Sequence, residues 1–218
     1  TDATNGNFTI DNTAPTVTPL GPADNTFVTG VLNISFATTD ALSPSISCDV
    51  TVGGEVKKSM TLNQSQSASA EVNTTDGSYA WSVGCADLAG NRGQSSTRTI
   101  NIDNAPPTIA FTAVPSLVIR GSSVIAVASI TDFSGINTVR AHVALNGTNQ
   151  SMSSSSNGPD YTFSLPIPSS TALGTYTLAV TAEDGVGHVT SAQHAYNLTY
   201  NYLIALTLPA SVVPGNSV

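Results

Sequence analysis

At 218 residues the chain can hold one large domain or two ordinary ones, each able to bury its own core. Charged residues are only 9% of it, yet 40% are hydrophobic, which excludes a solvated disordered chain. A net charge of −8, with two adjacent lysines (Lys57, Lys58) and four scattered arginines, excludes a basic stripe for nucleic acid or an anionic membrane surface.

In chain order, residues 1–12 are expected to be the last strand and linker of a preceding domain, the strand lying around Gly6 to Ile10. A first complete domain over 13–104 opens with Leu32, Ile34 and Phe36 alternating inward against Asn33 and Ser35 outward. A second strand alternates Ile46, Cys48, Val50 and Val52 inward before a turn at Gly53-Gly54. A second complete domain is expected over 105–200. There Val139, Ala141, Val143 and Leu145 alternate ahead of an Asn146-Gly147 hairpin turn. The run Ser151–Ser156 reads as a hairpin loop. Tyr161, Phe163, Leu165 and Ile167, then Tyr176, Leu178, Val180 and Ala182, mark two further strands. Residues 201–218 are expected to open a following domain. No segment sustains a 3.6-residue period, none is an apolar run of the ~20 residues that span a bilayer, and Gly and Pro recur too often for long helices.

The strongest signal is internal repetition. Gly77-Ser78-Tyr79-Ala80-Trp81-Ser82-Val83-Gly84-Cys85-Ala86-Asp87-Leu88-Ala89-Gly90-Asn91 has a second copy at Gly174–His188, in which glycine, tyrosine, valine, aspartate and glycine recur in register. Ile10-Asp11-Asn12-Thr13-Ala14-Pro15 likewise returns as Ile102-Asp103-Asn104-Ala105-Pro106-Pro107. A period near ~90 residues is that of an independent β-sandwich, not of a solenoid.

The run from Gly77 to Asn91, with the junction closing on Asp103 and Pro107, resembles the immunoglobulin-like or fibronectin-III-like repeats of bacterial and archaeal surface proteins. In those repeats the F strand reads Tyr-x-Trp-x-Val-x-Cys-x-Asp-x-x-Gly-Asn. The second copy departs from that pattern at Leu178, Ala182 and His188. The resemblance implies an all-β chain of tandem Ig-like sandwiches in an elongated arrangement, held semi-rigidly end to end by short proline-bearing linkers. It also places Cys48 in strand C and Cys85 in strand F, neighbours in one sheet. Both fall on inward phases, and the matching positions Ala141 and Ala182 lose cysteine together, so a Cys48–Cys85 disulfide is expected.

Sequons at Asn7, Asn33, Asn63, Asn73, Asn146, Asn149 and Asn197 are candidate glycosylation sites. With the cysteine pair and low charge they favour an oxidising, extracellular or cell-surface compartment. The Asp87-x-x-Gly90-Asn91 and Asp184-x-x-Gly187-His188 motifs read first as aspartate-capped turns. The other reading is calcium, which takes carboxylate and carbonyl oxygens, here from Asp87, Asp103, Asn104 and Asp184. Asp103-Asn104-Ala105-Pro106 resembles cadherin linkers in this respect, but the further acids, Asp40, Asp87, Asp132 and Asp184, stand isolated along the sequence.

His142, His188 and His194 lack the cysteines or acidic cluster of a zinc set, and no nucleophile elbow, phosphate loop or paired acids facing a cleft occurs. The expectation is therefore a non-enzyme without cofactor or firm metal site. It would be a spacer or scaffold segment of a large extracellular or filament-forming repeat protein, its partners the neighbouring Ig-like domains. The alternative is an adhesin or carbohydrate-binding module. That reading wants exposed aromatics, and aromatics are 6% and mostly phased inward. Self-assembly into a filament or surface array, by strand donation at an open end, is a third route.

Overall fold

A computed structural model describes residues 9–200. The strands expected around Gly6–Ile10 and within 201–218 fall mostly or wholly outside the described residues. Every regular element among the described residues is a β-strand. By mutual proximity the chain divides into two compact units. One holds the residues up to Thr108 with Thr131–Thr138 and Glu183–Thr190; the other holds Ile109–Ile130, Val139–Ala182 and Ser191 onward.

The first nine strands are β1 (Thr16–Gly21), β2 (Thr26–Val28), β3 (Leu32–Thr39), β4 (Ser45–Val52), β5 (Glu55–Asn63), β6 (Ser67–Val72), β7 (Gly77–Asp87), β8 (Arg92–Gln94) and β9 (Arg98–Ile102). They form two sheets, ordered β1-β3-β6 and β2-β9-β7-β4-β5, with β8 joined to β7. Strict alternation on β3 sends Leu32, Ile34 and Phe36 into the core, where they oppose Val72, Ala70 and Ala68 of β6. The small alanines leave room for the large side chains across the pair. From the other sheet, Ile46, Val50 and Val52 of β4 and Trp81 and Val83 of β7 fill the core. The chain crosses between sheets after β1, and Arg98 braces that crossing. Its guanidinium donates to the carbonyls of Pro19 (2.9 Å) and Pro22 (2.8 Å) and lies 5.7 Å from the Trp81 ring centre.

The second nine are β10 (Thr108–Ala113), β11 (Leu117–Ile119), β12 (Ser123–Thr131), β13 (Ile136–Leu145), β14 (Thr148–Ser151), β15 (Ser153–Asn157), β16 (Asp160–Pro166), β17 (Gly174–Asp184) and β18 (Val189–Thr199). Their sheets run β10-β12-β16-β15 and β11-β18-β17-β13-β14. In both sandwiches a short strand pairs in parallel with the last one, β2 with β9 and β11 with β18. The Asn146-Gly147 turn joins β13 to β14, with both residues at positive φ (51° and 78°).

The serine run corrects the sequence reading. It is strand, not loop: Thr148–Ser151 pairs with β13, Ser153–Asn157 pairs with β16, and buried Met152 marks the change of sheet. Both strands end their sheets and expose every residue, so no apolar alternation could betray them in the sequence.

One device recurs at the start of β7 and β17. The hydroxyl of Tyr79 donates to the carbonyl of Thr75 (3.1 Å), and that of Tyr176 to the carbonyl of Ala172 (2.7 Å). Each bond reaches back four residues and pins the incoming chain, the tyrosine corner of Ig-like sandwiches. Gly77 and Gly174 precede these tyrosines at φ 147° and 150°, a conformation that glycine alone adopts readily.

Candidate functional site

Cys48 and Cys85 are cross-strand partners on adjacent β4 and β7, their Cα atoms 4.1 Å apart and their sulfurs bonded. The bridge lies inside one sheet and faces the core, with Cys48 fully buried and Cys85 nearly so.

The most concentrated polar chemistry sits in the loops. In the first unit Asp11, Asp40 and Asp87 each place a carboxylate oxygen within 4.8 Å of the others. Asp11 comes from the segment before β1, Asp40 from the end of β3, and Asp87 from the end of β7. Each carboxylate is held by its own loop: Asp11 Oδ1 accepts from the Thr13 amide (3.1 Å), and Asp40 Oδ1 from those of Leu42 (2.9 Å) and Ser43 (2.8 Å). Asp87 Oδ1 accepts from the Asn91 amide, and Asp87 Oδ2 from the Asn91 side chain, both at 2.8 Å. The same Asn91 Nδ2 donates to the Asp11 carbonyl (3.0 Å), tying the entering segment to the β7–β8 loop. Burial works against the charged form of Asp87, but the donors from Asn91, Gly90 and Ala89 outweigh it and hold its carboxyl below the usual range.

A second group in the same unit gathers Asp103, Asp184 and His188. Here the sequence reading needs correction, because His188 does join an acidic cluster. Asp184 and His188 share one loop, but Asp103 comes from far along the chain, so the motif at Asp184–His188 does not by itself announce the group. His188 Nδ1 lies 2.9 Å from Asp184 Oδ2, while Asp184 Oδ1 accepts from the amides of Val186 and His188. Despite burial, those donors hold Asp184 low. Asp132 joins the group through Ser134, whose amide donates to both Asp132 Oδ1 (2.8 Å) and Asp103 Oδ2 (3.2 Å). Its carboxyl is pushed up by burial, against the Ser134 hydrogen bonds, and further by the neighbouring Asp103. Of the four candidate calcium residues, then, Asp103 and Asp184 come together and Asp87 belongs to the other group. Asn104 serves structure: its Oδ1 accepts from the Gly30 amide (2.6 Å) and its Nδ2 donates to Asp76 (2.8 Å). Asp11 is the residue that sequence reasoning left unassigned. Its signal was present in the junction motif, which returns as Asp103.

The six described sequon asparagines, Asn33, Asn63, Asn73, Asn146, Asn149 and Asn197, are all exposed, and Asn7 lies outside the described residues. His142 and His194 are half-buried on β13 and β18, His194 beside Phe111. A cleft of about 520 Å³ is lined by Val52, Glu55, Lys57, Asn73 and Tyr79 among others, but the Tyr79 hydroxyl is committed to the Thr75 carbonyl. Among the described residues no helix is long and apolar enough to cross a membrane.

Residues 70–207 match the family model described as bacterial Ig-like domain (group 3). The chain belongs to this family. Its sandwiches are similar to solved structures at low identity. The fibronectin(III)-like modules of Clostridium thermocellum CbhA share 18% identity at a TM-score of 0.36, over 84% of this chain and 93% of that one. SGBP-B of the Bacteroides ovatus mixed-linkage glucan utilization locus, solved in complex with a mixed-linkage heptasaccharide, shares 14% at 0.34, over 87% and 48%. The ICAM-5 D1–D4 ectodomain fragment shares 14% at 0.41, over 84% and 53%. The comparison with curated proteins found no match.

Proposed function

We propose that this bacterial Ig-like chain is a spacer or scaffold segment of a larger extracellular or cell-surface repeat protein. The observation that carries the reading is the repeated sandwich in which side-chain chemistry is spent on the fold. The disulfide faces the core, both corner tyrosines are tied to backbone, and the capped aspartates hold loops. A buried disulfide supports an oxidising compartment, and six exposed sequon asparagines support glycosylation there. Stacked in tandem, such domains hold whatever lies beyond them away from the cell.

The competing adhesin reading is separable by replacement. In the full-length protein displayed on its cells, residues 13–200 are exchanged for an unrelated pair of Ig-like sandwiches of equal length. A spacer is replaceable, so surface exposure of the distal region and cell attachment should persist. Loss of attachment with the distal region still exposed refutes the spacer role and assigns binding to this segment.

A further inference from the structure

We propose that Asp11, Asp40 and Asp87 form a binding site for a hard divalent cation, calcium before magnesium. The first observation is the spacing. Oxygens bound to one Ca²⁺ at ~2.4 Å can be no more than ~4.8 Å apart, and the three carboxylates meet that limit pairwise.

The second observation is independent of the clustering. Asp40 is 8% exposed, its Oδ1 is spent on two loop amides, and its Oδ2 is buried with no hydrogen-bond partner. A buried carboxylate oxygen without a donor carries its full desolvation cost. Lacking a donor of its own, that oxygen is left to the group it shares with Asp11 and Asp87. Among the described residues no lysine or arginine forms an ion pair with any of the three. A divalent cation satisfies the orphaned oxygen and the accumulated charge together.

The donor set selects the ion. Three carboxylates with no thiolate and no imidazole exclude the zinc and copper class. Fixed oxygens supplied by three separate loops suit the flexible coordination of calcium better than the near-ideal octahedron that magnesium demands. Asp11 also lines a surface cleft of about 370 Å³ and Asp40 another of about 350 Å³, so water has access to complete the shell. The group at Asp103, Asp132 and Asp184 provides a contrast. There every acid has a donor: Ser134 serves Asp103 and Asp132, His188 serves Asp184, and no buried carboxylate oxygen of the group is orphaned. Bound at the first group, the ion would fasten the segment before β1 to the loops after β3 and β7.

The test uses the whole chain, stripped with EGTA and titrated with CaCl₂ at constant ionic strength. Calorimetry should give about one Ca²⁺ per chain with Kd in the ~10⁻⁴–10⁻³ M range of extracellular modules. Melting followed by Trp81 fluorescence should rise by at least about 5 °C in 10 mM Ca²⁺. Asp40→Asn keeps Oδ1 for the two loop amides and puts an NH₂ where the orphaned oxygen was. It should abolish the calcium response while melting in EGTA at or above the parent, which loss of a purely structural residue would not do. Asp11→Asn, on the exposed entering segment, should weaken binding at least tenfold. Absence of binding up to 10 mM, or an Asp40→Asn variant with the parent's calcium response, overturns the proposal.

Discussion

Breaking the Cys48–Cys85 bond should destabilise the first sandwich selectively. The bond closes a loop of 37 residues, for which the chain-entropy relation gives about 4 kcal/mol at 25 °C. For a domain of this size that corresponds to a fall in Tm of roughly 15–30 °C. Two features make the measurement clean. Trp81 is the chain's single tryptophan and is buried on β7 opposite Val52 of β4, in the core of the first sandwich, so its fluorescence reports the first sandwich alone. The second sandwich carries buried Ala141 and Ala182 at the matching positions and has no disulfide to lose. Scanning calorimetry of the oxidised chain, the reduced chain and the Cys48→Ala/Cys85→Ala variant should show one transition moving down with the Trp81 signal while the other stays within about 2 °C. Equal shifts of both transitions, or a Trp81 midpoint indifferent to reduction, would refute the reasoning.

A Cβ at Gly93 would run into the backbone of Pro15, so Gly93→Ala should cost about 1–3 kcal/mol in urea denaturation followed at Trp81; an unchanged midpoint refutes the close packing. Asp87 has a depressed pKa in the fold, so its contribution is present above the unfolded value near 3.8 and lost as pH falls through the folded one. Acid unfolding of the first sandwich should therefore flatten below pH 4 in Asp87→Asn relative to the parent, and parallel curves would remove Asp87 from the linkage. Native material should carry glycan mass, most readily at Asn33, Asn73 and Asn146, whose side chains are exposed; intact mass equal to the bare polypeptide refutes glycosylation.

Much of the architecture was legible because burial leaves a period-two trace. Leu32, Ile34 and Phe36, and likewise Ile46, Cys48, Val50 and Val52, announce strands because one face of each meets the core. Edge strands in solvent leave no such trace, so β14 and β15 hid inside a serine run. The corner tyrosines were visible as a recurring Gly-x-Tyr, but their hydroxyl bonds to Thr75 and Ala172 depend on how the preceding chain folds back. Carboxylate groups are harder still. Asp11, Asp40 and Asp87 lie in three loops, and only the sheet topology gathers them.

The repeat also shows one fold meeting one electrostatic problem in two ways. Each copy brings a junction aspartate to an aspartate after the β3 or β12 strand and another after β7 or β17, because register fixes those positions. Three carboxylates in one place repel each other and resist burial, so something must compensate. In the second copy the partners are internal: His188 stands where the first copy has Asn91 and contacts Asp184, and the Ser134 amide donates to both Asp132 and Asp103. In the first copy Asn91 serves Asp87, but Asp40 Oδ2 is left without a hydrogen-bond partner among the described residues. On the proposed calcium site, the exchange of asparagine for histidine at this position is one of the differences between a self-contained acidic loop cluster and one completed by a cation. Asn91→His should accordingly reduce calcium binding at the first group while leaving its turn intact, because the histidine amide can still donate to Asp87 as His188 does to Asp184.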